Sequence, residues 1–460
     1  MSEMSEMSET EPKPTPPAPS TPPAGAKADG AQAAGAKGGS GVFEDDAFVP
    51  VPESQRHAWW KTSFVWAGSS ICVPVIMIGA LLIAGLNMAE MILATIIGSA
   101  ILAAIFCLQG MEGTDTGLPT AIVARSAFGK EGAGVIVSFI LASTLVCWAG
   151  TDCQVAGESF LQIVSMGGLK LNRTVCIIVL GLIMLTVSII GEKIITKLNM
   201  VAVPALILLC IYGIVTCAGH VDMVALFTAE PVDPMSLVEG VALVVGAQAV
   251  GSTIAPDYHR FCRNRKESCM AVLVGIPPYL LFLMFAGAVM GSATGETDIT
   301  LVIANLGIPI IGLIVLVLAT WTTMATDAYT GGLAITSLLH LSGTKRALAT
   351  GIAGVCGILL AVFGIMDYFA DFLNVMAAAI PPVAGVMIAD YWVIKRGRPE
   401  LWRESAGVNW LGVIALACGV AVGLFVPFGI ATINGVVVSL VLYLVLMYAT
   451  GRAKTAAAAE

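Results

Sequence analysis

The chain has 460 residues, 57% hydrophobic and 12% charged, with a formal net charge of −8 and a mean hydropathy of +0.89. An ordinary soluble domain carries roughly 25% charged residues, so a soluble globular fold is excluded and an all-α polytopic membrane protein is implied. Eleven cysteines lie scattered through apolar stretches without a C-x-x-C pair, where they act as small hydrophobes. The four histidines, His57, His220, His259 and His340, fall near predicted span ends or in loops, which favours neither a haem pair nor a histidine proton relay.

Residues 1–50 are a different material from the rest. A Met-Ser-Glu repeat is followed by a Pro/Ala/Gly tract with few large apolar side chains, too little to offset chain entropy, so disorder is expected. Eight acids against three lysines give this tail −5 of the formal −8. The acidic balance is therefore a tail property and says little about substrate.

Apolar runs of about 20 residues, enough to cross a bilayer, lie near 60–84, 90–110, 133–163, 174–190, 196–218, 236–255, 270–293, 308–340, 347–364, 370–393, 408–426 and 430–450. Twelve transmembrane helices are expected. With the N-terminus inside, 21 of the 23 lysines and arginines fall on the cytoplasmic face, and only Lys170 and Arg173 do not. Basic residues are retained on that side, so both termini are expected in the cytoplasm of a cell whose inner membrane holds the chain, with 451–460 as a short C-terminal tail. No loop exceeds about 25 residues, and no nucleophile–base or metal constellation is visible. An enzyme is not expected, nor is a nucleic-acid partner.

Two spans carry break signals. The first reads "SFVWAGSSICVPVIM", with Gly68, Ser69, Ser70 and Pro74 in its middle. The sixth reads "VALVVGAQAVGSTIAPDY", with Gly246, Gln248, Gly251, Ser252, Thr253 and Pro256. Glycine and proline are ordinary in membrane helices, but interrupted helices at matching positions of two halves point to a transporter site. Spans one and six are five apart, as a five-plus-five inverted repeat requires. The repeats are then 58–218 and 236–393, with 408–450 holding the last two spans.

The third span contains "STLVCWAGTDCQVAGESF", which puts Trp148 and Asp152 four residues apart on one face. An aromatic plane beside a hydrogen-bonding acid suits a flat heterocycle, the ring stacked and its edge read; a packing tryptophan is the alternative. Glu158 lies toward the far end and can pair with Lys170 or Arg173. On the eighth span, Thr322, Thr326 and Thr330 recur every four residues, and Thr323 with Asp327 do so on an adjoining face. An isolated membrane threonine merely back-bonds to its own turn. Two adjacent hydroxyls beside the carbonyls of an unwound helix, however, supply the oxygen shell that a hard cation such as sodium takes. Asp327 is costly at that depth unless paired or facing water.

The segments "TGLPTAIVARSAFG", "LVVGAQAVGSTIAPDYHRFCRN", "WTTMATDAYTGGL" and "AAAIPPVAGVMIADYW" resemble those of the nucleobase:cation symporter-1 family, most closely its bacterial cytosine permease branch, from about residue 58 to 450. The resemblance implies uptake of a nucleobase or related heterocycle driven by a cation, often sodium, with no bound cofactor and with one copy of the chain sufficient. It maps a sodium site onto the backbone carbonyls of Gly68, Ile71 and Ala319 and the hydroxyls of Thr322 and Thr323. It makes Trp148 the stacking residue, with Asp152, Gln248, Ala247, Met324 and Ser69 or Ser70 around the ring. Three positions depart from the family pattern: Leu145 replaces a glutamine, Gln248 an aromatic, and Met324 a polar residue. A proton-coupled symporter of another heterocycle (a purine, hydantoin, allantoin or thiamine-precursor pyrimidine), with Asp152 or Asp327 as carrier, stays open as the alternative.

Overall fold

The computed structural model describes residues 50–453 except 191, 220, 229–230, 232–233, 306, 340 and 342–344. The expected disordered tail, His220, His340 and residues 454–460 lie outside the described residues. Among the described residues there is no β-strand, only one isolated bridge between His57 and Cys262. Nine helices among the described residues are long and apolar enough to cross a membrane: Met88–Thr116, Lys130–Met166, Arg173–Ile190, Lys197–Ala218, Leu237–His259, Arg265–Thr294, Pro309–Leu338, Ile365–Ile394 and Ala431–Ala449. A tenth span is the pair Trp59–Ser70 and Val73–Gly85, and two shorter apolar helices, Arg346–Val362 and Trp410–Phe425, complete the twelve.

Local chemistry explains where the helices start and break. Asn87 and Glu90 form a reciprocal capping box at the second span (2.9 and 3.1 Å), and Ser236 and Glu239 do the same at the sixth (3.2 and 2.7 Å). Each box satisfies backbone N–H groups that have no partner in the first turn. In the first span the chain leaves the helix at Ile71 (ψ 81°) and Cys72 (φ −141°, ψ 159°), then re-enters with Pro74 in its first turn, where a missing N–H costs nothing. The two halves are bent by 61°.

The sixth span breaks differently from the first. Its halves, Leu237–Ala247 and Gly251–His259, are joined by three-residue turns: Gln248 N–H donates to Val245 O, Ala249 to Gly246 and Gly251 to Gln248. Tight turns of this kind spend the backbone donors locally, and the span stays short of a sharp bend. Two further interruptions immediately precede Pro-Pro pairs, at Ile276 in the seventh span and Ile380 in the tenth, and the tenth ends in a π-helical turn, Ala389–Ile394.

Packing sorts the spans into groups. The long third and eighth spans lie along each other, with the fourth and ninth packed on both. The first, second, sixth and seventh form another group. Its centre is a crossing of bare backbones: a Cβ on Gly79 would fall 2.0 Å from Met284 O, and one on Gly287 would fall 1.9 Å from Ile76 O. Small residues at such crossings let membrane helices approach closely where no hydrophobic drive between helices exists.

One polar chain stitches this group. The Trp66 indole N–H, which can only donate, reaches His259 Nε2 at 2.7 Å. The other ring nitrogen therefore carries the hydrogen and donates to Ser268 Oγ at 2.7 Å. Thr114 Oγ1 donates to His259 O at 2.9 Å. His259, read from sequence as lying beyond the end of its span, is in fact buried inside it, because the helix runs four residues past the last apolar residue that marked it. Trp66→Phe removes the indole donor and leaves a buried acceptor unpaired, at a cost of about 1–3 kcal/mol. The expected outcome is a lower midpoint of thermal unfolding in detergent, and an unchanged midpoint would refute the stitch.

Candidate functional site

The break in the first span exposes backbone. Cys72 N–H donates to Ser70 O at 3.1 Å instead of to Gly68 O, its partner in a continuous helix. The Gly68 carbonyl has therefore lost its helical donor. A Cβ built on Gly68 would meet nothing within 4 Å, so the backbone there borders open space. Ser69 Oγ donates to Trp66 O at 3.1 Å. Ser70 is buried, and its hydroxyl has no partner among the described residues.

The eighth span runs unbroken through its threonines, and the hydroxyls of Thr322, Thr323 and Thr326 bond back to carbonyls of the preceding turn. Thr322 and Thr323 both donate to Ala319 O, at 2.7 and 3.1 Å, and Thr326 donates to Thr322 O at 2.9 Å. A hydroxyl that has donated its hydrogen keeps two lone pairs. Thr322 and Thr323 thus present two oxygens side by side with their hydrogens turned away, a neutral acceptor pair for a hard cation. The Ala319 carbonyl is already shared by both, so it can join such a shell only if one hydroxyl rotates.

The third and eighth spans, which pack along each other, each carry a carboxylate, Asp152 and Asp327. Asp152 is fully buried, and neither of its oxygens has a hydrogen-bond partner among the described residues. It lies within electrostatic reach of Asp327, and Cys72, in the break of the first span, lies within reach of both. Tyr258 of the sixth span also feels Asp327. The third, eighth, first and sixth spans therefore converge here, and the eighth touches the second half of the first.

Trp148 meets the edges of two phenylalanines from the tenth span, Phe369 (6.2 Å between ring centres, 79°) and Phe372 (5.1 Å, 76°). The same helix, Phe369–Ala379, packs on the break of the sixth span, where a Cβ on Gly246 would fall 2.2 Å from Leu373 O. Ala247 and Gln248 follow at that contact, with Gln248 9% exposed. Met324 is buried in the apolar cluster of Ala149, Cys153, Met184 and Ala328.

Sequence reasoning missed Phe369, Phe372, Cys72 and Gln154. The phenylalanines share a helix face at a spacing of three, which the sequence shows, but nothing in it says which span they oppose. Gln154 links the third span to the start of the tenth: its amide donates to Glu158 at 3.0 Å, and its carbonyl accepts Met366 N–H at 3.1 Å. Glu158 takes Arg173 at 2.6 Å, one of the two partners expected.

The opposite, basic face is held by the "ADYW" motif. Asp390 pairs with Lys395 at 2.6 Å, both side chains 4% exposed, and accepts from Ser126 and from Tyr443 at 3.1 Å. Tyr391 donates to Asp115 at 2.6 Å and Trp392 to Leu108 O at 3.2 Å. In the adjoining loop Arg125 pairs with Glu404 at 2.8 Å and holds its carboxyl below the ordinary carboxylate range.

Helical spans with an interrupted pair at matching positions, and polar groups converging at the interruption, define a secondary transporter. The chain belongs to the family of permeases for cytosine/purines, uracil, thiamine and allantoin, whose pattern matches residues 50–451. It is 33% identical over 417 residues to the cytosine permease of Escherichia coli (strain K12), covering 89% of this chain and 95% of that one. Its fold is similar to that of Mhp1 in an inward-facing conformation, with a TM-score of 0.79 at 20% identity over 89% of this chain and 94% of that one. The closed form of Mhp1, a nucleobase-cation-symport-1 family transporter with bromovinylhydantoin bound, gives 0.73 at 19% identity over 90% and 96%. The protein is a multi-span membrane transporter of small molecules, not an enzyme.

An unpartnered buried carboxylate destabilises the protein that holds it. Asp152→Asn is therefore expected to leave the ligand-free unfolding midpoint unchanged or raised. A fall of several degrees would give Asp152 a structural partner instead.

Proposed function

We propose that the protein imports a nucleobase, cytosine or a related pyrimidine or purine, by sodium symport under alternating access, with both termini cytoplasmic. The observation that carries this reading is the pair of threonine hydroxyls turned to one carbonyl on the eighth span, which touches the second half of the broken first span, together with the Gly68 carbonyl that has lost its helical donor at the break. Sodium held by Thr322, Thr323 and the carbonyls of Gly68 and Ile71 would bridge the two packed groups of spans. Ala319 O joins once a hydroxyl turns. The cytosine permease relative supports the choice of substrate class.

The ring stacks on Trp148, exchanging edge contacts with Phe369 and Phe372 for a face contact. An aromatic pair of this kind contributes about 0.5–1.5 kcal/mol beyond burial. Asp152 takes the N–H groups of the ring edge, while Gln248, whose amide both donates and accepts, and the Ser70 hydroxyl take what remains. A donor-bearing edge such as that of an aminopyrimidine satisfies Asp152; a purely accepting edge does not.

A second reading rests on one observation: two carboxylates in electrostatic reach, one with both oxygens unpartnered, can carry a proton instead. Proteoliposome uptake with sodium or choline outside, across a pH series, separates the two. Uptake that requires sodium supports the ion pair of threonines; sodium-free uptake driven by a proton gradient assigns coupling to Asp152 and Asp327.

Coupling between two ligands is reciprocal. Thr323→Ala is expected to weaken sodium activation about tenfold, or about 1.4 kcal/mol, and apparent substrate affinity by the same factor. Unchanged sodium dependence would sink the ion assignment. Trp148→Ala is expected to abolish ligand-induced thermal stabilisation by every nucleobase while the ligand-free midpoint stays within a few degrees; retained stabilisation would refute the stacking role.

A further inference from the structure

A cavity of about 580 Å³ opens on the face that carries the basic connections. Its walls include Arg56 ahead of the first span, Asp115 at the end of the second, and Arg263, Arg265 and Lys266 at the start of the seventh. The one acid among these is spent internally. Asp115 pairs with Arg265 at 2.7 Å and accepts from Tyr391, and Arg265 also donates to Gly397 O and lies 5.0 Å from the Trp392 ring centre.

Arg56, Arg263 and Lys266 have no carboxylate within ion-pair distance among the described residues. Arg56 is half-buried, with its Nε shielded from solvent and unpartnered. Three like charges around one recess repel each other. A phosphate, with several charge-bearing oxygens, accepts charge-assisted bonds from all three.

The recess adjoins a surface that only acyl chains would cover. Lys266 continues along one helix stripe into Met270, Leu273 and Val274, which are 43%, 51% and 39% exposed. The first half of the first span, packed beside that helix, adds Trp60 and Phe64 at 48% and 66%. We propose that this recess is a binding site for an anionic phospholipid, its phosphate held by Arg56, Arg263 and Lys266 and its acyl chains lying along the Met270–Val274 stripe. Basic recesses at the cytoplasmic ends of membrane helices hold lipid headgroups by this chemistry. A choline headgroup carries its own cation into the recess and is disfavoured, so phosphatidylglycerol is preferred to phosphatidylcholine.

The test is native mass spectrometry of the full chain in detergent, titrated with either lipid. Wild type is expected to retain phosphatidylglycerol about tenfold more than phosphatidylcholine, and the triple variant Arg56→Gln, Arg263→Gln, Lys266→Gln to lose that preference. Arg346→Gln, basic but outside the recess, should keep it. Should the triple variant not fold, Arg263→Gln alone, on an exposed side chain, is expected to lower retention about threefold. Equal phosphatidylglycerol retention by wild type and variants overturns the site. Thermal stabilisation by inorganic phosphate equal to that by phosphatidylglycerol overturns the lipid and assigns a soluble anion instead.

Discussion

In hydrocarbon every backbone N–H and C=O must be bonded inside the protein, and each failure costs several kcal/mol. The interruption at Ile71 and Cys72 is therefore the feature around which the rest of the structure is organised. Where a helix stops in the membrane interior, its freed carbonyls need a donor, an ion or water. Here, at a bend of 61°, Cys72 N–H turns to Ser70 O and leaves the Gly68 carbonyl without its helical donor.

The break lies at a seam between two groups of spans, each held tightly within itself. Trp66, His259 and Ser268 tie the first, sixth and seventh spans together, and Gly79 and Gly287 bring the first and seventh into backbone contact. The third and eighth spans pack on each other and on the fourth and ninth. Motion of one group against the other leaves both interiors intact and changes mainly the contacts at the seam. A ligand bound there biases such motion by its differential affinity for the arrangements.

The buried charges fall into two kinds. Asp390 and Lys395 are buried together, and Ser126 and Tyr443 saturate the carboxylate. A buried pair is tolerable when its hydrogen bonds are complete, and this one closes the end of the tenth span. Asp152 has no such support. A buried carboxylate without partners among the described residues costs stability, so Asp152, unlike Asp390, has bonding capacity left for a ligand.

Much of this was legible in the residues alone. Apolar run length fixed twelve spans, because bilayer thickness sets the length of each. Gly68 to Pro74 marked a break, because those residue types leave a helix cheaply. The adjacency of Thr322 and Thr323 is covalent and survives any packing, so their pairing on one turn needed no structure. What opposes each face did not follow. Helical period puts Phe369 and Phe372 on one side of their helix but cannot say that Trp148 stands across from it. His259 was misjudged because apolar run length underestimates a helix whose last turn is polar and packed against its neighbours. The tight-turn form of the sixth span, the burial of Met324 in an apolar cluster and the reach of Cys72 to both aspartates were likewise decided only by tertiary structure. Chain spacing sets which side chains share a face, whereas interhelical register and rotation come from packing between segments far apart in sequence.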